Sequence, residues 1–128
     1  MNNAKINENL IKIAKEVSKN SYSPYSKYKV GAAILVKNGK IYSGVNVENA
    51  SYGLTICAER SALCAAISDG NKQILRIAVY ADSSKLPVPC GACLQALSEF
   101  SKSLEIVVSC KKPGIKTFTL KDLLTTPF

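Results

Sequence analysis

At 128 residues, 47% hydrophobic and 20% charged, the chain has the length of one domain and a composition that excludes wholesale disorder. Its 17 basic and 9 acidic residues give +8, but Arg60 and Arg76 are the only arginines and Lys111-Lys112 the only adjacent basic pair. That scatter describes a solvated lysine surface rather than a nucleic-acid footprint. The longest uncharged stretch, residues 86–98, is too short to span a bilayer, and Lys5, Lys12, Lys15 and Lys19 interrupt any apolar signal core. A cytoplasmic protein with no membrane partner is the expectation.

Ile6, Leu10, Ile13, Ala14 and Val17 fall at helical spacing and predict an amphipathic helix over residues 6–18. Ser21-Tyr22-Ser23-Pro24-Tyr25-Ser26 breaks it as a loop. Residues 29–36 and 40–47 are β-rich and flank Asn38-Gly39, the strongest local hairpin signal. A second helix is predicted over residues 57–68, with Gly70 as its stop. A buried strand follows at 74–81, then the stiff Pro87-Val88-Pro89 and a third helix at 91–100. Strands at 104–109 and 117–119 enclose the Lys112-Pro113-Gly114 turn, and residues 120–124 add a last helical turn. The order α-β-β-α-β-α-β-β predicts an α/β fold, a central sheet covered by helices, with residues 1–128 as a single domain.

Five cysteines, an odd number, argue against a closed disulfide framework and toward metal or catalytic chemistry in a reducing compartment. Pro89-Cys90-Gly91-Ala92-Cys93 alone suits either a zinc site or a redox pair. Here it opens a helix, and Cys57 opens another. Two facing helix N-termini can place Cys57, Cys90 and Cys93 around one ion, where both helix dipoles favour thiolates. With no histidine in the chain, the fourth tetrahedral position has no obvious protein donor, as in catalytic rather than structural zinc sites. Cys64, seven residues beyond Cys57, lies about 10 Å along the same helix, whereas sulfurs sharing a zinc ion lie within about 4 Å. Cys110, at a strand end, escapes that arithmetic, although a small core residue is its commoner role. Glu59, two residues after Cys57, sits on the first helical turn beside the metal without being a natural ligand, placed to carry protons for an activated water. Asn46 and Glu48, two apart on a predicted strand, share a face and offer donors and acceptors suited to sugar hydroxyls.

The motifs Pro24-Tyr25-Ser26, Val30-Gly31-Ala32-Ala33, Gly44-Val45-Asn46-Val47-Glu48-Asn49-Ala50, Cys57-Ala58-Glu59-Arg60 and Pro89-Cys90-Gly91-Ala92-Cys93-Leu94-Gln95 cover nearly the whole chain. Together they resemble the zinc-dependent cytidine deaminases, in the small homotetrameric form that acts on free nucleosides. The resemblance implies a central mixed five-stranded sheet in α/β/α layers and one Zn²⁺ per chain held by Cys57, Cys90 and Cys93. It implies hydrolysis of cytidine and 2′-deoxycytidine to the uridines with Glu59 as proton shuttle. Arg60 then hydrogen-bonds the ligand sulfurs, and Asn46 and Glu48 hold the ribose 3′-hydroxyl. Ala50 and Tyr52 reach the sugar in a neighbouring subunit's site. Tyr28, where relatives commonly carry phenylalanine, and Phe128, the final residue, are the candidates to stack on the pyrimidine.

Overall fold

The computed structural model describes residues 2–128. Helix α1 spans Asn3–Ser18, starting before the apolar spacing predicts, because the Asn2 side chain caps it by accepting the Lys5 N–H at 2.9 Å. Strands β1 (Val30–Val36) and β2 (Ile41–Val45) form the expected hairpin, with Gly39 at φ +94° in the turn. A 3-10 turn at Tyr52–Leu54, which no sequence pattern signals, precedes α2 (Ala58–Ser68). Then come β3 (Ile74–Ala81), α3 (Gly91–Ser98), β4 (Glu105–Ser109), β5 (Lys116–Thr119) and α4 (Leu120–Leu123).

The five strands make one mixed sheet in the order β2-β1-β3-β4-β5. β3 and β4 are parallel and joined through α3, since parallel neighbours need a crossover; the other three pairings are antiparallel. Alternation sorts the strand side chains onto two faces. Ala32, Ile34, Ile77, Val79, Ile106 and Val108 pack with Ala62 and Leu63 of α2 and Leu94 and Leu97 of α3. Ala33, Ala78 and Val107 pack on the opposite face with Leu10, Ile11 and Ala14 of α1. The expected α/β/α layering is what forms.

Two glycines let helices touch strand backbone. A Cβ at Gly31 would lie 2.0 Å from the Ala14 carbonyl oxygen of α1, and one at Gly44 would lie 2.4 Å from the Ala62 nitrogen of α2. Both helices are therefore seated at backbone contact, one on each face.

The register Val30↔Ala81 and Gly31↔Val45 puts the start of β1 and the ends of β2 and β3 at one end of the sheet. The segments meeting there, residues 21–29, 46–57 and 82–90, carry Tyr28, Asn46, Glu48, Ala50, Tyr52, Cys57 and Cys90, and the helices that follow the last two segments begin with Glu59, Arg60 and Cys93 in their first turns. β2 stops at Val45, two residues short of expectation. Beyond it the Asn46 side chain turns inward and takes the Val30 N–H, and Val47 makes isolated bridges to Tyr22 and Ile56.

Because α2 meets β2 through backbone, its fit at Gly44 leaves no flexible atom to yield. Gly44→Ala is expected to destabilise the fold by about 2–3 kcal/mol, the upper range for overpacking. Thermal melts of the variant beside the wild-type protein make the comparison.

Candidate active site

Cys57 and Cys90 are the N-cap residues of α2 and α3, and Cys93 lies buried in the first turn of α3. Because α2 and α3 share one face of the sheet and both begin at the same end, the three sulfurs come within 4.8 Å of one another. This is the one group of three or more potential metal-ligating side chains among the described residues. Cys64 is exposed on α2 and stands outside it. So does Cys110, which is buried with its Sγ 3.9 Å from the Lys112 carbonyl oxygen. Neither supplies a fourth sulfur.

The electrostatics of this cluster ask for a cation. Hydrogen bonding from Cys93, then from Arg60, brings the Cys57 thiol down to about 5. The Cys93 thiol, facing that sulfur and buried, is pushed up. The sulfurs cannot all become thiolates together unless positive charge sits among them. Arg60 supplies part of it: Nη2 donates to the Cys57 Sγ at 3.6 Å, and contact with Cys57 and Cys93 pushes the guanidinium pKa further up. Its Nε is buried without an acceptor. The soft donor set and its spacing fit a zinc ion, which Cys57, Cys90 and Cys93 would hold as its three protein ligands.

Glu59, the second residue of α2, is 6% exposed. Burial pushes its carboxyl up to about 7, and the negative charge of Cys57 adds to this, against its own backbone N–H and Arg60. Glu59, Cys57 and Cys90 line a cavity of about 330 Å³, at the small end of the roughly 300–1,000 Å³ typical of small-molecule pockets. Val79, Val88 and Tyr28 form apolar wall, and Asn46 and Glu48 lie on the same cavity. No lysine or arginine lines it.

Asn46 and Glu48 are already heavily engaged. The Asn46 Oδ1 accepts from Val30 N–H at 3.0 Å and from the Ser21 hydroxyl, while its Nδ2 donates to the Tyr28 carbonyl at 2.7 Å. The Glu48 carboxylate accepts the N–H groups of Tyr25 and Ser26 at 3.0 and 3.1 Å and the Ser26 hydroxyl. Ser26 chiefly holds the Glu48 pKa below the usual carboxylate range. One amide hydrogen of Asn46 and about one lone-pair direction of Glu48 remain free, enough for a single hydroxyl that both accepts and donates.

The remaining candidates lie outside this cavity. Ala50 is exposed, and Tyr52, 79% exposed, borders an adjoining groove that shares Ser26, Glu48 and Thr55 with the cavity. Phe128 is fully exposed, its N–H donating to Gln95 Oε1 at 3.1 Å, and it does not line its own chain's cavity. Ser26, Thr55, Val79, Pro87 and Val88 line it without having been singled out as site residues. Pro87 and Val88 had a signal in the stiff loop before Cys90; Val79 had none, being one apolar residue in a buried strand.

The cytidine and deoxycytidylate deaminase zinc-binding region matches residues 4–110. A cytidine deaminase from Halalkalibacterium halodurans is 42% identical over 93% of this chain and 91% of its own length. One from Sporosarcina psychrophila is 42% identical over 94% and 90%. The crystal structure of cytidine deaminase from Burkholderia pseudomallei superposes with a TM-score of 0.91 at 39% identity, covering 100% of both chains. With that extent of likeness around three converging cysteines, the chain belongs to the cytidine and deoxycytidylate deaminases, the zinc-dependent hydrolytic deaminases.

Proposed function

We propose that residues 1–128 form one deaminase domain that converts cytidine and 2′-deoxycytidine to uridine and 2′-deoxyuridine, releasing ammonia. The observation that carries this is one small cavity with Cys57, Cys90 and Glu59 on one part of its lining and Asn46 and Glu48 on another. A zinc ion held by Cys57, Cys90 and Cys93 would polarise a water and ease the loss of its proton near neutral pH. Glu59 carries one proton of that water to ring N3 as the oxygen adds to C4. It carries the second to the amino group as the C4–N bond breaks, so that water and the cytosine ring yield ammonia and the uracil ring. Burial of the Glu59 carboxyl favours its neutral form, which suits a group that must hold a proton between taking and giving it. Arg60 offsets the excess negative charge of three thiolates.

The free Asn46 amide hydrogen and the free Glu48 lone pair grip one sugar hydroxyl, the ribose 3′-hydroxyl, and Tyr28 walls the base. A homotetramer with shared sites is supported by the exposed apolar cluster at this end: Val47, bridged to Tyr22 and to Ile56, with Leu54 and Tyr52 also exposed in the same segment. In it, Ala50, Tyr52 and Phe128 serve a neighbour's substrate, consistent with their lying outside their own cavity. Five unpaired cysteines, three of them ligands that must stay reduced, suit the cytoplasm.

One zinc per chain is expected, lost in Cys57→Ala, Cys90→Ala or Cys93→Ala and kept in Cys64→Ala; full zinc content in any of the first three removes that ligand. Glu59→Gln should keep fold and zinc while losing at least about a hundredfold in turnover, the low end for general acid–base catalysis. The substrate is tested by comparing kcat/KM for cytidine, cytidine 5′-monophosphate and a cytosine-containing single strand. No cation lines the cavity to pair a phosphate, and the Glu48 carboxylate repels a 3′-phosphate. Discrimination of about a thousandfold or more in favour of the nucleoside is expected. Comparable values for the phosphorylated substrates would move the enzyme to nucleotides or polynucleotides.

A further inference from the structure

The polar pair assigned to the sugar also holds the backbone of the residue that walls the base. We propose that Ser26 is a positioning residue whose hydroxyl ties the Glu48 carboxylate to the Tyr28 backbone, so that sugar and base are gripped by one hydrogen-bonded unit. The inference rests on the nucleoside function above and adds to it a residue and a coupling.

The Ser26 hydroxyl donates to the Glu48 carboxylate and accepts the Tyr28 N–H at 3.0 Å. On the other side of Tyr28, the Asn46 amide donates to its carbonyl at 2.7 Å. Both polar groups of the Tyr28 backbone are thus held through the two sugar-binding side chains. Little else can hold them. Residues 24–29 are all exposed, so no buried apolar anchor fixes this loop. Between Ser26 and Tyr28, Lys27 sits at φ +61°, a left-handed conformation that a non-glycine residue adopts at a cost and keeps only where its surroundings enforce it. Three bonds from the loop to Glu48, with the Lys27 N–H donating to the Ser23 carbonyl at 3.0 Å, provide that enforcement. Removing the hydroxyl strips Tyr28 of its acceptor and Glu48 of a donor together. The Tyr28 wall should then drift even when the substrate has no 3′-hydroxyl for Glu48 to grip.

The test is Ser26→Ala, with Ser26→Thr retaining the hydroxyl, on the zinc-loaded enzyme with cytidine and 3′-deoxycytidine, alongside equilibrium binding of uridine and 3′-deoxyuridine. Ser26→Ala is expected to raise KM and Kd about tenfold for both members of each pair, with kcat within about threefold of wild type, the scale of one lost hydrogen bond. Ser26→Thr should recover the wild-type constants within about threefold. Unchanged KM and Kd in Ser26→Ala, a loss confined to kcat, or a loss that vanishes with the 3′-deoxy compounds would each overturn the coupling. Wild-type enzyme that fails to deaminate cytidine would instead overturn the function on which it rests.

Discussion

Three sulfurs within 4.8 Å of one another, at the start of two helices, are the constraint around which the rest of this end of the molecule is organised. Hydrogen bonds from Cys93 and Arg60 drive Cys57 down, and the ionised Cys57 together with burial then drives Cys93 up, so without added positive charge one sulfur ionises at the expense of the other. Two helix N-termini and the Arg60 guanidinium act on the same excess charge, and a divalent ion bound among the sulfurs would add to them. Because the three sulfurs belong to both α2 and α3, a metal bound among them would also hold these helices together. Glu59, one residue into α2, inherits its place from the same seating.

That seating goes back to the sheet. α2 rests on β2 at Gly44 and α1 rests on β1 at Gly31, both at backbone contact, so neither helix slides without a strand moving. The antiparallel β1–β2 and β1–β3 pairings then bring a strand start and two strand ends to one edge, where their connections form the cavity. Within it, Asn46 is buried at 7% exposure and almost fully satisfied by Ser21, Tyr28 and Val30. The polar side chains on the cavity wall, Asn46 and Glu48, are therefore also the ones that hold the loop in front of it.

Much of this was legible in the chain because the signals are local. Asn38-Gly39 marks its hairpin, the apolar repeat of residues 6–17 marks α1, and the Cys-x-x-Cys spacing places two ligands on one helical turn whatever surrounds it. Rise per residue was enough to separate Cys64 from Cys57. Cys110 was different: its exclusion needed the distance between β4 and the start of α3, which no spacing contains. The end of β2 was misjudged for a related reason. Residues 46 and 47 have strand-like neighbours, but Asn46 leaves the ladder because its amide is used on Tyr28 and Val30, eighteen and sixteen residues earlier.

By itself, then, the sequence determined the order of helices and strands, the sulfur donors on each helix and the carboxylate beside them. These depend on periodicity, capping and covalent spacing, which act over a few residues. Only the tertiary structure decided that the two cysteine segments meet, that Val79, Thr55 and Val88 complete the cavity, and that Ser26 joins Glu48 to Tyr28. Those relations follow from strand register and from helices packed on opposite faces, and they exist only once segments distant in the chain share one sheet.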